Sequence, residues 1–154
     1  AGNHDFCFER GEKNFAIKLL NESGVIYLEN TGIKLEGLNI WGSPVQPWFY
    51  DWAFNEQRGK DISKYWDMIP SNTDILITHG PPYKILDKTA SGECVGCEDL
   101  TEKIKDLPNL KLHCFGHIHE SYGVVDINGT KYVNASNLNL NYNSGNQPPI
   151  VIEL

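Results

Sequence analysis

The sequence predicts an α/β fold, and three observations carry that prediction. Two short apolar runs, residues 75–77 and 110–115, each follow a segment with helical spacing. That alternation belongs to a parallel sheet with crossover helices. Each run then meets a glycine within three residues, in Thr78-His79-Gly80 and in Gly116-His117-Ile118-His119, so both strands stop abruptly. The last part of the chain is β-rich and turns at Asn128-Gly129, a strong hairpin signal.

Taken in order, residues 12–21 place Phe15, Ile17, Leu19 and Leu20 among polar neighbours and read as a short helix. Residues 25–29 and 32–36 read as two strands joined at Asn30-Thr31-Gly32. Residues 38–41 continue as a strand, and Gly42-Ser43-Pro44 breaks it, because proline cannot donate to a ladder. From 44 to 59 the composition shifts to Pro44, Pro47, Trp48, Phe49, Tyr50, Trp52 and Phe54, with neither helical nor strand period. This stretch reads as a loop folded over the core edge. Its aromatic faces also suit the wall of a substrate pocket, where a base or phenyl ring could stack.

Residues 61–69 repeat apolar side chains at three- and four-residue spacing and form a helix, which Pro70 stops. Residues 75–77 are a strand buried on both faces, with His79 at its carboxyl end. Residues 98–107 are a helix with Leu100, Ile104 and Leu107 inward. Residues 110–115 form the next strand, and the Gly116 loop carries His117 and His119. Residues 122–127 and 131–133 flank the hairpin turn, and 150–154 read as a final strand.

At 154 residues the chain suits one domain with its own core. A net charge of −7 without a basic patch argues against an extended nucleic-acid partner and leaves room for a small phosphorylated substrate. No apolar run is long enough to span a bilayer, so no membrane partner is expected. Of the four cysteines, only Cys94 and Cys97 have metal or redox spacing, and no second pair completes a tetrahedral site. Reduced, packing cysteines and a cytoplasmic location are therefore expected. The Asn-x-Ser/Thr triplets at Asn21, Asn128 and Asn134 arise by chance in an asparagine-rich chain.

Functional groups of an open α/β sheet collect beyond the carboxyl ends of its strands. His79, His117 and His119 fall there, and Asn3 joins them if a strand ends just before Gly2. A transition-metal site is the expected outcome, since His and Asn ligate divalent ions when held together. With one residue between them, His117 and His119 can face a common site while Ile118 packs away. His113 lies inside its strand, so core packing or a supporting hydrogen bond is expected of it instead. Because nothing precedes Ala1, the expected picture is a metal-dependent hydrolase from which the front has been cut.

Gly2-Asn3-His4-Asp5, Thr78-His79-Gly80-Pro81-Pro82 and Gly116-His117-Ile118-His119 resemble the later motifs of the calcineurin-like metallophosphoesterase superfamily. Gly42-Ser43-Pro44-Val45-Gln46-Pro47-Trp48, Trp52-Ala53-Phe54-Asn55, His119-Glu120-Ser121-Tyr122-Gly123 and Tyr132-Val133-Asn134-Ala135-Ser136 are similar to its small members related to class III cyclic nucleotide phosphodiesterases.

The resemblance implies that residues 1–154 are the C-terminal portion of one four-layer α/β/β/α sandwich domain, incomplete at its N-terminus. It implies hydrolysis of phosphomonoesters or phosphodiesters, cyclic nucleotides among them, by two divalent ions (Mn²⁺, Fe²⁺ or Zn²⁺). Asn3, His79 and His117 would hold one ion and His119 would reach the other. His4 would face the phosphate and leaving group, oriented by a hydrogen bond that its ring donates to Asp5. The family's upstream Asp-x-His and Gly-Asp motifs are not found in the chain. By itself it is therefore expected to bind metal weakly, to be poorly active and to expose an apolar sheet edge. The alternative expectation is an inactive binding domain, or a half-domain whose partner chain completes the site.

Overall fold

The computed structural model describes residues 1–144 and 147–154. Two helices open the chain, α1 (Phe6–Glu9) and α2 (Lys13–Glu22). Strands β1 (Thr31–Leu35) and β2 (Leu38–Ser43) follow, then the paired two-residue strands β3 (Gln46–Pro47) and β4 (Asn55–Glu56). Helix α3 (Lys60–Trp66), strand β5 (Ile75–Thr78), helix α4 (Glu98–Ile104) and strand β6 (Leu112–Phe115) form the alternating middle. A 3₁₀ turn (His119–Ser121) leads into the hairpin of β7 (Gly123–Ile127) and β8 (Thr130–Asn134).

Six strands form one mixed sheet in the order β1-β2-β5-β6-β8-β7. The four central strands run parallel, and the antiparallel strands β1 and β7 form the edges. This confirms the α/β class and the parallel pairing of the two apolar runs. Trp41, Leu76, His113 and Tyr132 share one register row, and all four are buried. Helices α3 and α4 cover that face: Ile62, Trp66 and Leu100 pack with Trp41, Leu76, Leu107 and Leu110 into the main core. Asp99, in the first turn of α4, ties the helix starts together by accepting hydrogen bonds from Gly59 N and Ser63 Oγ.

The opposite face is only partly covered. Leu28 presses onto it at Gly42, where a Cβ would collide with the leucine. Ile77, on a central strand, is nevertheless 44% exposed. An apolar surface is thus open in the middle of a sheet face, and on the edge strands Leu35, Val124 and Ile127 are exposed as well.

Several element assignments change, among them the pair β3–β4 within the stretch read as a loop. Residues 25–29 form no strand, and β1 instead turns back on β2 through Glu36 and Gly37. Both turn residues have positive φ (47° and 83°), the geometry that matches the twist of a two-residue hairpin. Among the described residues, 150–154 join no ladder. Helix α1 was not anticipated, as its four residues are too few to show a period.

Candidate metal centre

The site is built where β5 and β6 end side by side. Gly116 N donates to His79 O at 2.9 Å, so the two loops leave the sheet joined. Beneath them Thr78 Oγ1 donates to Gly80 O at 2.7 Å, and the hydroxyl proton is thereby used. His113 Nε2, 2.8 Å from the same hydroxyl, must therefore be the donor to it. His113 is completely buried, and burial lowers its pKa to about 3. It supports the loop as a neutral core residue, in the role expected from its place inside the strand.

Asn3 enters from the other end of the chain. Its turn is closed by Asp5 N donating to Gly2 O at 2.9 Å and by Gly2 N donating to Asp5 Oδ2 at 2.7 Å. A Cβ on Gly2 would collide with Nδ1 and Cε1 of His79, so only glycine permits this approach. Asn3 Oδ1 then lies 2.9 Å from His79 Nε2, and His117 Nδ1 lies 3.1 Å from the same nitrogen. His117 reaches inward with a φ of 71°, in the left-handed region, while Ile118 packs away at 8% exposure.

Burial, and then the neighbouring histidine His117, push the His79 pKa down to about 3. Burial, and then His119, push that of His117 down to about 4. Both rings are neutral near pH 7. Nitrogen His79 Nε2 carries either one proton or one lone pair, whichever tautomer His117 adopts, so hydrogen bonding alone cannot fully satisfy both contacts. A divalent ion can. Donors about 2.1 Å from one ion at right angles stand roughly 3 Å apart, and the observed separations match. Among the described residues no three His, Cys, Asp or Glu side chains cluster, and no carboxylate joins His79 and His117. The donor set here is two imidazoles and an amide oxygen.

His119 belongs to the same pocket of charge, since it depresses both His79 and His117, but it makes no hydrogen bond to them among the described residues. Its Nδ1 meets Asn139 O at 3.2 Å, which leaves Nε2 as the free donor atom, and Tyr142 meets the ring edge-on at 5.4 Å. His4 is exposed beside the cluster. The expected bond from Asp5 to His4 is absent among the described residues, because the carboxylate serves Gly2 N three residues back. Trp52 holds His4 instead, edge to face with centroids 4.1 Å apart. Ala53 N donates to Asn3 O at 3.0 Å and so fastens the aromatic loop to the site. Trp52 was read as part of an aromatic pocket wall, but its contact to His4 and that of Asn139 to His119 escaped the sequence reading, because both join segments distant in the chain.

The four cysteines are free, and Cys97 is buried at the start of α4. Among the described residues no helix is long and apolar enough to cross a membrane.

A family model described as calcineurin-like phosphoesterase matches residues 1–121. Metallophosphoesterase domain-containing protein 1 of Homo sapiens is 48% identical over 130 residues, covering 84% of this chain and 40% of that protein. A UPF0046 protein of Caenorhabditis elegans is 40% identical over 128 residues, covering 83% of this chain and 32% of its own length. The chain thus spans less than half the length of these two relatives. A crystal structure matches the fold with a TM-score of 0.66 at 17% identity, over 88% of this chain and 55% of the other. With the family model running through all three histidine-bearing motifs and identity reaching 48%, the chain belongs to the calcineurin-like phosphoesterase family.

Proposed function

We propose that this chain carries the metal-binding part of a phosphoesterase that cleaves phosphomonoesters or phosphodiesters, cyclic nucleotides among them, at a dinuclear centre. The observation that carries the reading is the approach of Asn3 Oδ1 and His117 Nδ1 to His79 Nε2, at 2.9 and 3.1 Å, at the strand ends. These three would hold one divalent ion (Mn²⁺, Fe²⁺ or Zn²⁺) and His119 Nε2 would serve a second. An ion held there supplies Lewis acidity toward a phosphoryl oxygen.

The remaining work falls to side chains. His79 and His117, kept neutral by burial, present lone pairs near pH 7 without first losing a proton. His4 stands at the open side of the cluster and donates a proton to the departing oxygen. Trp52 limits how far the His4 ring can swing. The exposed aromatic faces of Trp48, Phe49 and Tyr50 on the same loop suit a planar leaving group or base.

The test is hydrolysis of bis(p-nitrophenyl) phosphate and p-nitrophenyl phosphate with Mn²⁺, Fe²⁺ or Zn²⁺. Slow turnover that needs metal and disappears in His117→Ala is expected. Equal rates in the wild-type chain and His117→Ala, or no turnover with any of the three ions, would overturn the reading for this chain.

A second reading is a half-domain completed by a partner chain, and the open sheet face around Ile77 favours it. Size measurement separates the two, since that reading requires a defined heteromer.

A further inference from the structure

We infer that Asn134 is a positioning residue whose carboxamide holds the His117–His119 turn in the shape that lets His117 reach His79 and Asn3. The metal reading above is the purpose served, and the inference rests on it. Asn134 is the last residue of β8 and is completely buried. Its Nδ2 donates to Ile118 O at 2.8 Å and to Leu86 O at 3.0 Å. Its Oδ1 accepts from Ser136 N at 3.1 Å. Both amide protons and the oxygen are thus used, and all three bonds go to backbone.

The two clamped carbonyls sit at strained places. Ile118 follows His117, whose φ is 71°, and Leu86 itself has a φ of 49°. Side chains disfavour this region, so each conformation needs outside bonds to persist. The turn's own backbone offers little: Ile118 N donates to Gly116 O at 2.8 Å and Ser121 N to Ile118 O at 3.1 Å. Asn134 adds the bond that ties this turn to the sheet, and its second proton ties in the loop after β5. Ser121 Oγ accepts from Lys88 N at 2.9 Å and Glu120 Oε1 accepts from Ala90 N at 2.8 Å, so the same loop also grips the turn's far end. The Asn-x-Ser triplet at this position is inaccessible in the folded chain, and its asparagine has a different use.

A buried asparagine that served stability alone would weaken the whole fold without singling out the turn. Hydrogen exchange followed by NMR tells the two apart, read on the Gly116 and Ile118 amides relative to Leu76 and Ile77 in β5. Asn134→Ala is expected to speed exchange of the turn amides at least tenfold relative to β5. The Mn²⁺ affinity of the chain is expected to fall at least tenfold. Asn134→Asp keeps an acceptor for Ser136 N but turns an oxygen toward the two carbonyls. It should shift both readouts the same way, and it serves if the alanine variant does not fold. Val133→Ala, a buried neighbour on the opposite face, should lower overall stability yet leave the ratio of turn to β5 exchange unchanged. An unchanged exchange ratio in the folded Asn134 variant overturns the inference, as does wild-type Mn²⁺ affinity in that variant. A wild-type chain that binds no Mn²⁺ would instead remove the metal reading, and the exchange ratio would still decide whether Asn134 holds the turn.

Discussion

Asn3 and His79 stand 76 positions apart in the chain, yet Asn3 Oδ1 and His79 Nε2 meet at 2.9 Å. The turn that delivers Asn3 has no room for a side chain at Gly2, because a Cβ there would collide with Nδ1 of the imidazole. Gly2→Ala must therefore push the ring aside or lift the turn. Either movement breaks the donor set while leaving the main core between the sheet and α3–α4 intact. The expected result is a loss of Mn²⁺ affinity of about tenfold or more, roughly 1.4 kcal/mol, with little change in thermal midpoint. Isothermal titration checks it, and wild-type affinity in Gly2→Ala would show that the glycine is incidental.

Stability should depend on pH through the buried histidines. His113 has a folded pKa of about 3 against an ordinary value of 6.5. Above pH 6.5 both folded and unfolded states are neutral there, and its contribution is fully present. Below pH 6.5 the unfolded state takes a proton that the folded state refuses, so stability falls as pH falls toward the folded value. The slope for such a group is about 1.4 kcal/mol per pH unit. In the metal-free chain His79 and His117 act with the same sign. Urea midpoints measured at pH 7, 6 and 5 should decline steadily, and His113→Phe should make the decline shallower. A midpoint that does not move between pH 7 and pH 5 contradicts this account.

Asp87 is the anchor of the long loop after β5, and it is 2% exposed. Its Oδ2 accepts from Lys84 N at 2.8 Å and Gly96 N at 2.9 Å, while its carbonyl accepts from Val95 N at 3.2 Å. Asp87→Ala strands two backbone donors, one of them fully buried, and should cost about 2–4 kcal/mol. For a chain of this size that lowers the thermal midpoint by roughly 5–15 °C. Asp87→Asn keeps an acceptor oxygen for both donors and should lose about 1 kcal/mol. Equal losses in the two variants would mean that the charge matters more than the hydrogen bonds.

The parts of this molecule that the sequence made legible are those marked by local grammar. His79 and His117 could be placed because each sits one or two residues past a short apolar strand and beside a glycine. The Asn128-Gly129 hairpin was legible for the same reason. Residues 25–29 look like a strand by composition, but pairing is decided by the Glu36–Gly37 turn, whose two left-handed residues carry a weaker sequence signal than Asn-Gly. The Asp5–His4 bond was implied by the family resemblance, and it lost to a backbone donor that the tight Gly2 turn brings closer. The clamp by Asn134 could not be read at all, since its partners Leu86 and Ile118 offer only carbonyl groups.

Trp52 should matter to turnover more than to binding. Its ring meets His4 edge to face at 4.1 Å, and the loop that carries it is braced internally. Asn55 Nδ2 donates to Tyr50 O at 2.8 Å, and Asn55 Oδ1 accepts from Gln46 Nε2 at 3.0 Å. Ala53 N adds the bond to Asn3 O. An indole fixed in this way restricts His4 without touching the donors Asn3, His79 and His117. Removing it frees an exposed imidazole to sample orientations from which it cannot protonate a leaving oxygen, and misplacement of about 1 Å can cost up to roughly 100-fold. Trp52→Ala is therefore expected to lower kcat about tenfold on p-nitrophenyl esters, with Mn²⁺ affinity unchanged. Trp52→Phe keeps an aromatic edge and should recover most of the rate. A rise in KM with kcat unchanged would assign Trp52 to substrate contact instead of to His4.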